Sequence, residues 1–238
     1  MAKNIKTLSL NNLRTELIKN CSNWLSRFNT IRIHLSVGEA AASKLQAITN
    51  QTALGSQPQN IQTVPNQESD VIILIQAALI QEWNIFLDSI FRDVVLFFLE
   101  TCSVDRLPAA RFDIKKIVPT NLSNLRESIA SAVSESFSFK PYDQKTEDIC
   151  SIFNVKDVLP LRSFLKKHVE IRNIFQHHRG VIRPSDLEKI GNNPFDILQE
   201  DKTKINYVSG DKIILTLSEI NDLKKAIEDF SKKFEVLS

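Results

Sequence analysis

The segment Glu170-Ile171-Arg172-Asn173-Ile174-Phe175-Gln176-His177-His178-Arg179-Gly180-Val181 gathers two of the chain's four histidines beside a guanidinium and a carboxamide. These groups suit chemistry on a phosphate ester. Histidine, with an unperturbed pKa of roughly 6.5, accepts or donates a proton near neutrality. Arginine supplies a permanent charge and paired donors for phosphate oxygens. RNA brings its own nucleophile, the 2′-hydroxyl beside the scissile phosphate. Cleavage then needs only a proton acceptor, a proton donor and a cation, with acid–base help worth about 10²–10⁴-fold. No metal is required by this scheme. Its products are a 2′,3′-cyclic phosphate and a 5′-hydroxyl.

A helix must carry this cluster. Pro160 fits its first position, where a missing N–H leaves nothing unbonded. Leu161, Phe164, Leu165, Val169 and Phe175 form a buried stripe at helical spacing, and Gly180 offers the left-handed residue that ends many helices. Glu170, Asn173 and His177 then share one face, with Arg172 and Gln176 on a neighbouring one. Arg172 and His177 diverge by well over a right angle on an ideal helix. Either the last turn unwinds, or two copies face each other and share a site; the second reading is favoured and requires a homodimer.

Each residue has a plainer reading too. His177 suits a helix C-terminus, where the dipole favours a cation, and Arg172 can pair with Glu170 or Asp88. His178 shares the proton work or simply points elsewhere, while His34 and His168 read as ordinary helix residues. Lys166, Lys167, Arg179 and Arg183 are candidates for holding RNA, or form a solvated helix face. Glu82 on an earlier helix either orients the Arg172–His177 group or marks a solvated edge.

With 238 residues, 42% apolar residues and five glycines, the chain is expected to be a helix-rich globular protein. A net charge of +2 demands no nucleic acid globally, so any attraction for it must be local. Cys21, Cys102 and Cys150 are far apart and suggest neither a disulfide framework nor zinc. Reduced thiols and a start, Met1-Ala2-Lys3-Asn4, without a signal-peptide core give a cytoplasmic expectation. The apolar run from Val71 to Leu99 is broken by Gln76, Glu82, Asn84, Asp88, Arg92 and Asp93. It is read as a buried helix and not a membrane span. Neither a metal cage nor a Gly-rich phosphate loop occurs, so no cofactor is expected.

Along the chain, residues 1–50 are expected to hold an amphipathic helix (Ser9 to Ala47) packing on a bundle through Leu13, Leu17, Cys21, Trp24, Phe28, Ile31 and Leu35. Residues 51–69 read as a flexible linker, and 70–238 as the main helical domain. Within it, helices are expected over Asp70–Thr101, Asn121–Phe137, Glu147–Val155, the segment ending at Gly180, a short one capped by Ser185 and ended by Gly191, and Ser218–Phe234. The stretch 107–120 is irregular. A β-hairpin is placed at Ile205–Val208 and Lys212–Leu217, turning at Ser209-Gly210-Asp211.

An arginine followed at short range by histidine also occurs as Arg27…His34 and Arg162…His168, so the spacing alone singles out nothing. Context does: Asn173 follows Arg172, the helix ends here, and His-His-Arg-Gly-Val-Ile follows. In this the segment resembles the signature of the HEPN superfamily (higher eukaryotes and prokaryotes nucleotide-binding), commonly Arg-polar-x3-His with a short polar and glycine tail. Arg172, Asn173 and His177 fall on its positions, and the resemblance spans about residues 70–238. It implies a mainly α, HEPN-like helical bundle with a small C-terminal hairpin, dimerising with its motifs face to face. It further implies a metal-independent endoribonuclease in a toxin–antitoxin or phage-defence setting, with an antitoxin or other defence protein as partner. Arg179 stands where the subgroup paired with minimal nucleotidyltransferases has a tyrosine. The alternative is a catalytically inactive module binding RNA, nucleotide or protein.

Overall fold

The computed structural model describes residues 8–52, 67–101, 125–234 and 236–237. The chain is mainly helical, and its centre is the helix richest in large apolar residues, α2 (Gln67–Thr101). Ile75, Leu79, Trp83, Phe86, Leu87, Ile90, Val94 and Phe98 recur at three- and four-residue steps and are all buried. α2 is long and apolar enough to cross a bilayer by length and composition alone. Here its apolar face is covered by other helices. α1 (Asn11–Thr52) runs antiparallel to it, tied by Asn20 and Trp24 to Glu82 and by Arg32 to Glu68. Leu17, Cys21 and Phe28 of the expected stripe are buried; Ile31 is exposed.

α3 (Leu125–Ser138) stacks Phe137 on Phe91, ring centroids 3.9 Å apart. α4 (Tyr142–Ile152) follows Pro141 and reaches Asp88 through Lys145 at 2.9 Å. It starts earlier than its sequence suggests, because Lys145, Thr146, Ile149 and Cys150 give it a buried face from the first turn. α5 (Leu159–His178) packs on α2, where Gln76 Nε2 donates to the His168 carbonyl at 2.7 Å. α7 (Leu217–Ser231) lays Phe230 on Trp83, centroids 5.3 Å apart. The short strands β1 (Leu8–Ser9) and β4 (Val236–Leu237) pair antiparallel. Residues 53–66, most of the expected linker, lie outside the described residues, as do 102–124 with the irregular stretch; Gln67–Ser69 are helical.

Two local expectations are corrected. The hairpin is β2 (Phe195–Leu198) with β3 (Lys204–Tyr207), not Ile205–Val208 with Lys212–Leu217. Asp201 accepts from the Thr203 N–H and Lys202 takes a positive φ, so the polar stretch 199–203 makes the turn. Residue Lys212 instead forms a lone bridge to Val181. The cap of α6 (Pro184–Lys189) is Arg183 and not Ser185: Pro184 takes the first position, and Asp186 Oδ2 accepts the Arg183 N–H at 2.9 Å.

α5 ends on two left-handed residues, Arg179 (φ 53°) and Gly180 (φ 86°). A Cβ on Gly180 would stand 2.7 Å from the Phe175 ring. Gly180→Ala is therefore expected to destabilise by about 1–3 kcal/mol, through backbone strain and displacement of Phe175. A fall in the urea midpoint without a change in m checks it.

Candidate functional site

α5 is a continuous helical platform for the Arg172–His177 cluster. Leu165, Ile171 and Ile174 anchor it, while Pro160 sits at its second position, one residue later than expected. Helical geometry holds through His178, so the last turn does not unwind. Arg172 and His177 accordingly point about 140° apart at ~100° per residue.

Arg172 is half-buried and its Nε is shielded from solvent with no hydrogen-bond partner. The two carboxylates its plainer reading invoked are engaged elsewhere. Asp88 holds Lys145. Glu170 holds Lys189 of α6 at 3.3 Å and accepts from Asn173 at 3.4 Å. A permanent charge drawn partly out of water, without a counter-ion among the described residues, is a natural seat for an anion.

His177 is exposed, its ring centroid 6.2 Å from that of His178. The two neighbours differ. His178 turns Nε2 toward the buried Asp186, 3.8 Å from Oδ1, and its Nδ1 is enclosed without a partner. Its nitrogens thus face the protein, leaving His177 as the imidazole open to a ligand. Asn173 lies on the His177 face beside Glu170, and Gln176 is exposed near Arg172.

The basic residues separate into three kinds. Arg179 and Arg183 are exposed at the helix exit. Lys166 pairs with Asp143 at 2.6 Å. Lys167 is buried, with its ammonium 2.6 Å from the Asp196 carbonyl and 2.8 Å from Glu219 Oε1, so it does not face a bound RNA. Glu82 is likewise taken up, accepting from Asn20 at 3.0 Å and Trp24 at 3.2 Å on α1. It orients α1, not the α5 cluster. Among the described residues no group of His, Cys, Asp and Glu is spaced for a metal ion.

The group that sequence reasoning missed is buried. Glu219, in the first turn of α7, accepts from Lys167 and, at 2.9 Å, from His168 Nε2; its other oxygen takes the Leu198 N–H of β2 at 2.7 Å. One carboxylate so joins α5, α7 and the hairpin, one turn before Arg172. A signal existed. His168 stands seven residues after Leu161 and three after Leu165, and Glu219 four before Leu223, each on an apolar stripe.

Burial holds the His168 imidazole below its usual range despite the Glu219 bond, so it stays neutral and Nε2 donates. For Glu219 burial raises the carboxyl, but the His168 and Lys167 interactions outweigh it and hold the value at about 2. Both folded values lie below those of the free groups, 6.5 and 4.5. Stability is therefore full above pH 6.5, declines below it as the unfolded histidine takes up a proton, and declines further from pH 4.5 toward 2. Urea midpoints measured down the pH scale are expected to follow that course, and Glu219→Gln to flatten its acid part.

Compared with protein-family models, curated proteins and solved structures, the chain matches none.

Proposed function

We propose that this chain is a metal-independent endoribonuclease acting as a homodimer, in which Arg172 of one copy and His177 of the other meet at one phosphate. The observation that carries the reading is the half-buried Arg172 guanidinium, left without a carboxylate among the described residues while Asp88 and Glu170 are occupied elsewhere. His177 takes the 2′-hydroxyl proton as the 2′-oxygen bonds to phosphorus. The bond from phosphorus to the 5′-oxygen breaks, and that oxygen receives a proton from a protonated imidazole or water. Arg172 balances the charge gathering on the phosphoryl oxygens. Asn173 supports the histidine face, and Arg179 and Arg183 hold flanking phosphates.

The HEPN-like motif and the bundle with a hairpin before its last long helix support a HEPN-type nuclease from a toxin–antitoxin or phage-defence system, with a cognate antitoxin or defence protein as partner. Free, buried Cys21 and Cys150 accord with a reducing cytoplasm.

Incubation with total tRNA in EDTA is expected to yield fragments ending in 2′,3′-cyclic phosphate and 5′-hydroxyl; intact tRNA, or 3′-hydroxyl ends, would count against the reading. A silent RNA- or nucleotide-binding module is the second reading, favoured by the divergence of Arg172 and His177 on a regular helix. Salt-sensitive RNA binding without product distinguishes it.

A further inference from the structure

The β2–β3 hairpin has one sealed edge and one open edge. Gln199 N–H donates to the Thr203 carbonyl at 2.8 Å, which sets the alternation. Ile197–Ile205 and Phe195–Tyr207 are then the hydrogen-bonded pairs, and Asp196, Leu198, Lys204 and Asn206 turn their peptide groups outward. On the β2 side three of those four groups are met by side chains. Leu198 N–H donates to Glu219, the Leu198 carbonyl accepts from Thr216, and the Asp196 carbonyl accepts from Lys167. On the β3 side the N–H and C=O groups of Lys204 and Asn206 have no partner among the described residues. Because α5 and α7 cover the β2 edge, the β3 edge faces away from them.

We infer that a second copy of this chain adds to the β3 edge, joining two hairpins into one antiparallel sheet about a twofold axis at Ile205. The segment matches itself in that register. Lys204 of each copy lies opposite Asn206 of the other and exchanges both outward peptide bonds, about four bonds in all. Ile205, 46% exposed, meets its own counterpart across the closer kind of pair. Val208, 52% exposed, extends the apolar fringe. A register that set Lys204 against Lys204 would place like charges together. Lysine on an edge ordinarily repels added strands. Here the Lys204 ammonium is drawn onto Asp196 at 2.6 Å, which neutralises that guard.

The inference does not depend on the nuclease reading, since strand addition needs no catalysis. Ile205→Cys tests it sharply, because opposed residues in this register stand about 4.5 Å apart at Cα, inside the disulfide range of about 4.4–6.8 Å. Mild oxidation of full-length Ile205→Cys is expected to give a covalent dimer joined at position 205 by peptide mapping, whereas Lys204→Cys gives none. Asn206→Pro, which deletes an N–H without a partner among the described residues, is expected to abolish the crosslink of Ile205→Cys with unchanged circular dichroism, whatever other interface the α5 cluster makes. No crosslink at 205, a 205 crosslink that survives Asn206→Pro, crosslinking at 204 in place of 205, or a different polypeptide occupying the edge would each overturn it.

Discussion

His177→Ala is expected to lower RNA cleavage by about 10²–10⁴-fold, the usual worth of a positioned acid–base group. Its ring is exposed, so circular dichroism and thermal unfolding should stay as in the parent chain. Arg172→Ala should lose activity by a comparable factor, through charge stabilisation in place of proton transfer. Mixing the two inactive variants then separates the shared site from a site within one copy. If Arg172 and His177 act across a twofold axis, each mixed dimer carries one intact site, and random exchange restores roughly a quarter of parental activity. Recovery of nothing would place both groups in one subunit, against their divergence on α5. Undiminished cleavage by His177→Ala itself would end the nuclease reading.

The second large effect is on stability. Glu219→Ala is expected to destabilise by about 3–5 kcal/mol, because it strands the buried Lys167 ammonium and removes the acceptor for His168 and the Leu198 N–H. Lys167 keeps the Asp196 carbonyl and, at 3.4 Å, its carboxylate. Against a typical total of about 5–15 kcal/mol, that loss leaves little margin. Chemical denaturation of Glu219→Ala beside the double variant Lys167→Met, Glu219→Leu checks the cause. Replacing both charges with apolar groups should be clearly less harmful than removing one. Equal damage from the single and double variants would mean that packing of the Glu219 side chain, and not its charge, holds the junction.

Much of this architecture was legible in the residues. α2 is fixed by apolar side chains at three- and four-residue steps, and its inward set reads directly from Ile75 to Phe98. Pro160 near the start of α5 and Gly180 just past its end act locally, through backbone conformations that no distant contact needs to impose. The divergence of Arg172 from His177 follows from helical pitch alone. The hairpin failed differently. Ile205 to Val208 was recognised as a strand, but its partner was not, because Phe195-Asp196-Ile197-Leu198 is short and follows an Asn-Asn-Pro stretch resembling a loop. Strand pairing is a non-local choice, settled here when Phe195 and Ile197 bury against the helices and Glu219, Thr216 and Lys167 take up the outer edge of β2.

Sequence alone therefore determined which residues can do chemistry, which helix carries them and how they are spaced along it. Tertiary structure decided which of their charges are spent. Lys167, Lys166, Glu82 and Asp88 look as available in the sequence as Arg172 does, yet Lys166, Glu82 and Asp88 meet partners 23, 58 and 57 positions away, and Lys167 is buried against Glu219, 52 positions on. Arg172 meets none. Spacing along a chain can order groups on one helix face, but ion pairing depends on distances between elements, and only the packed fold sets those.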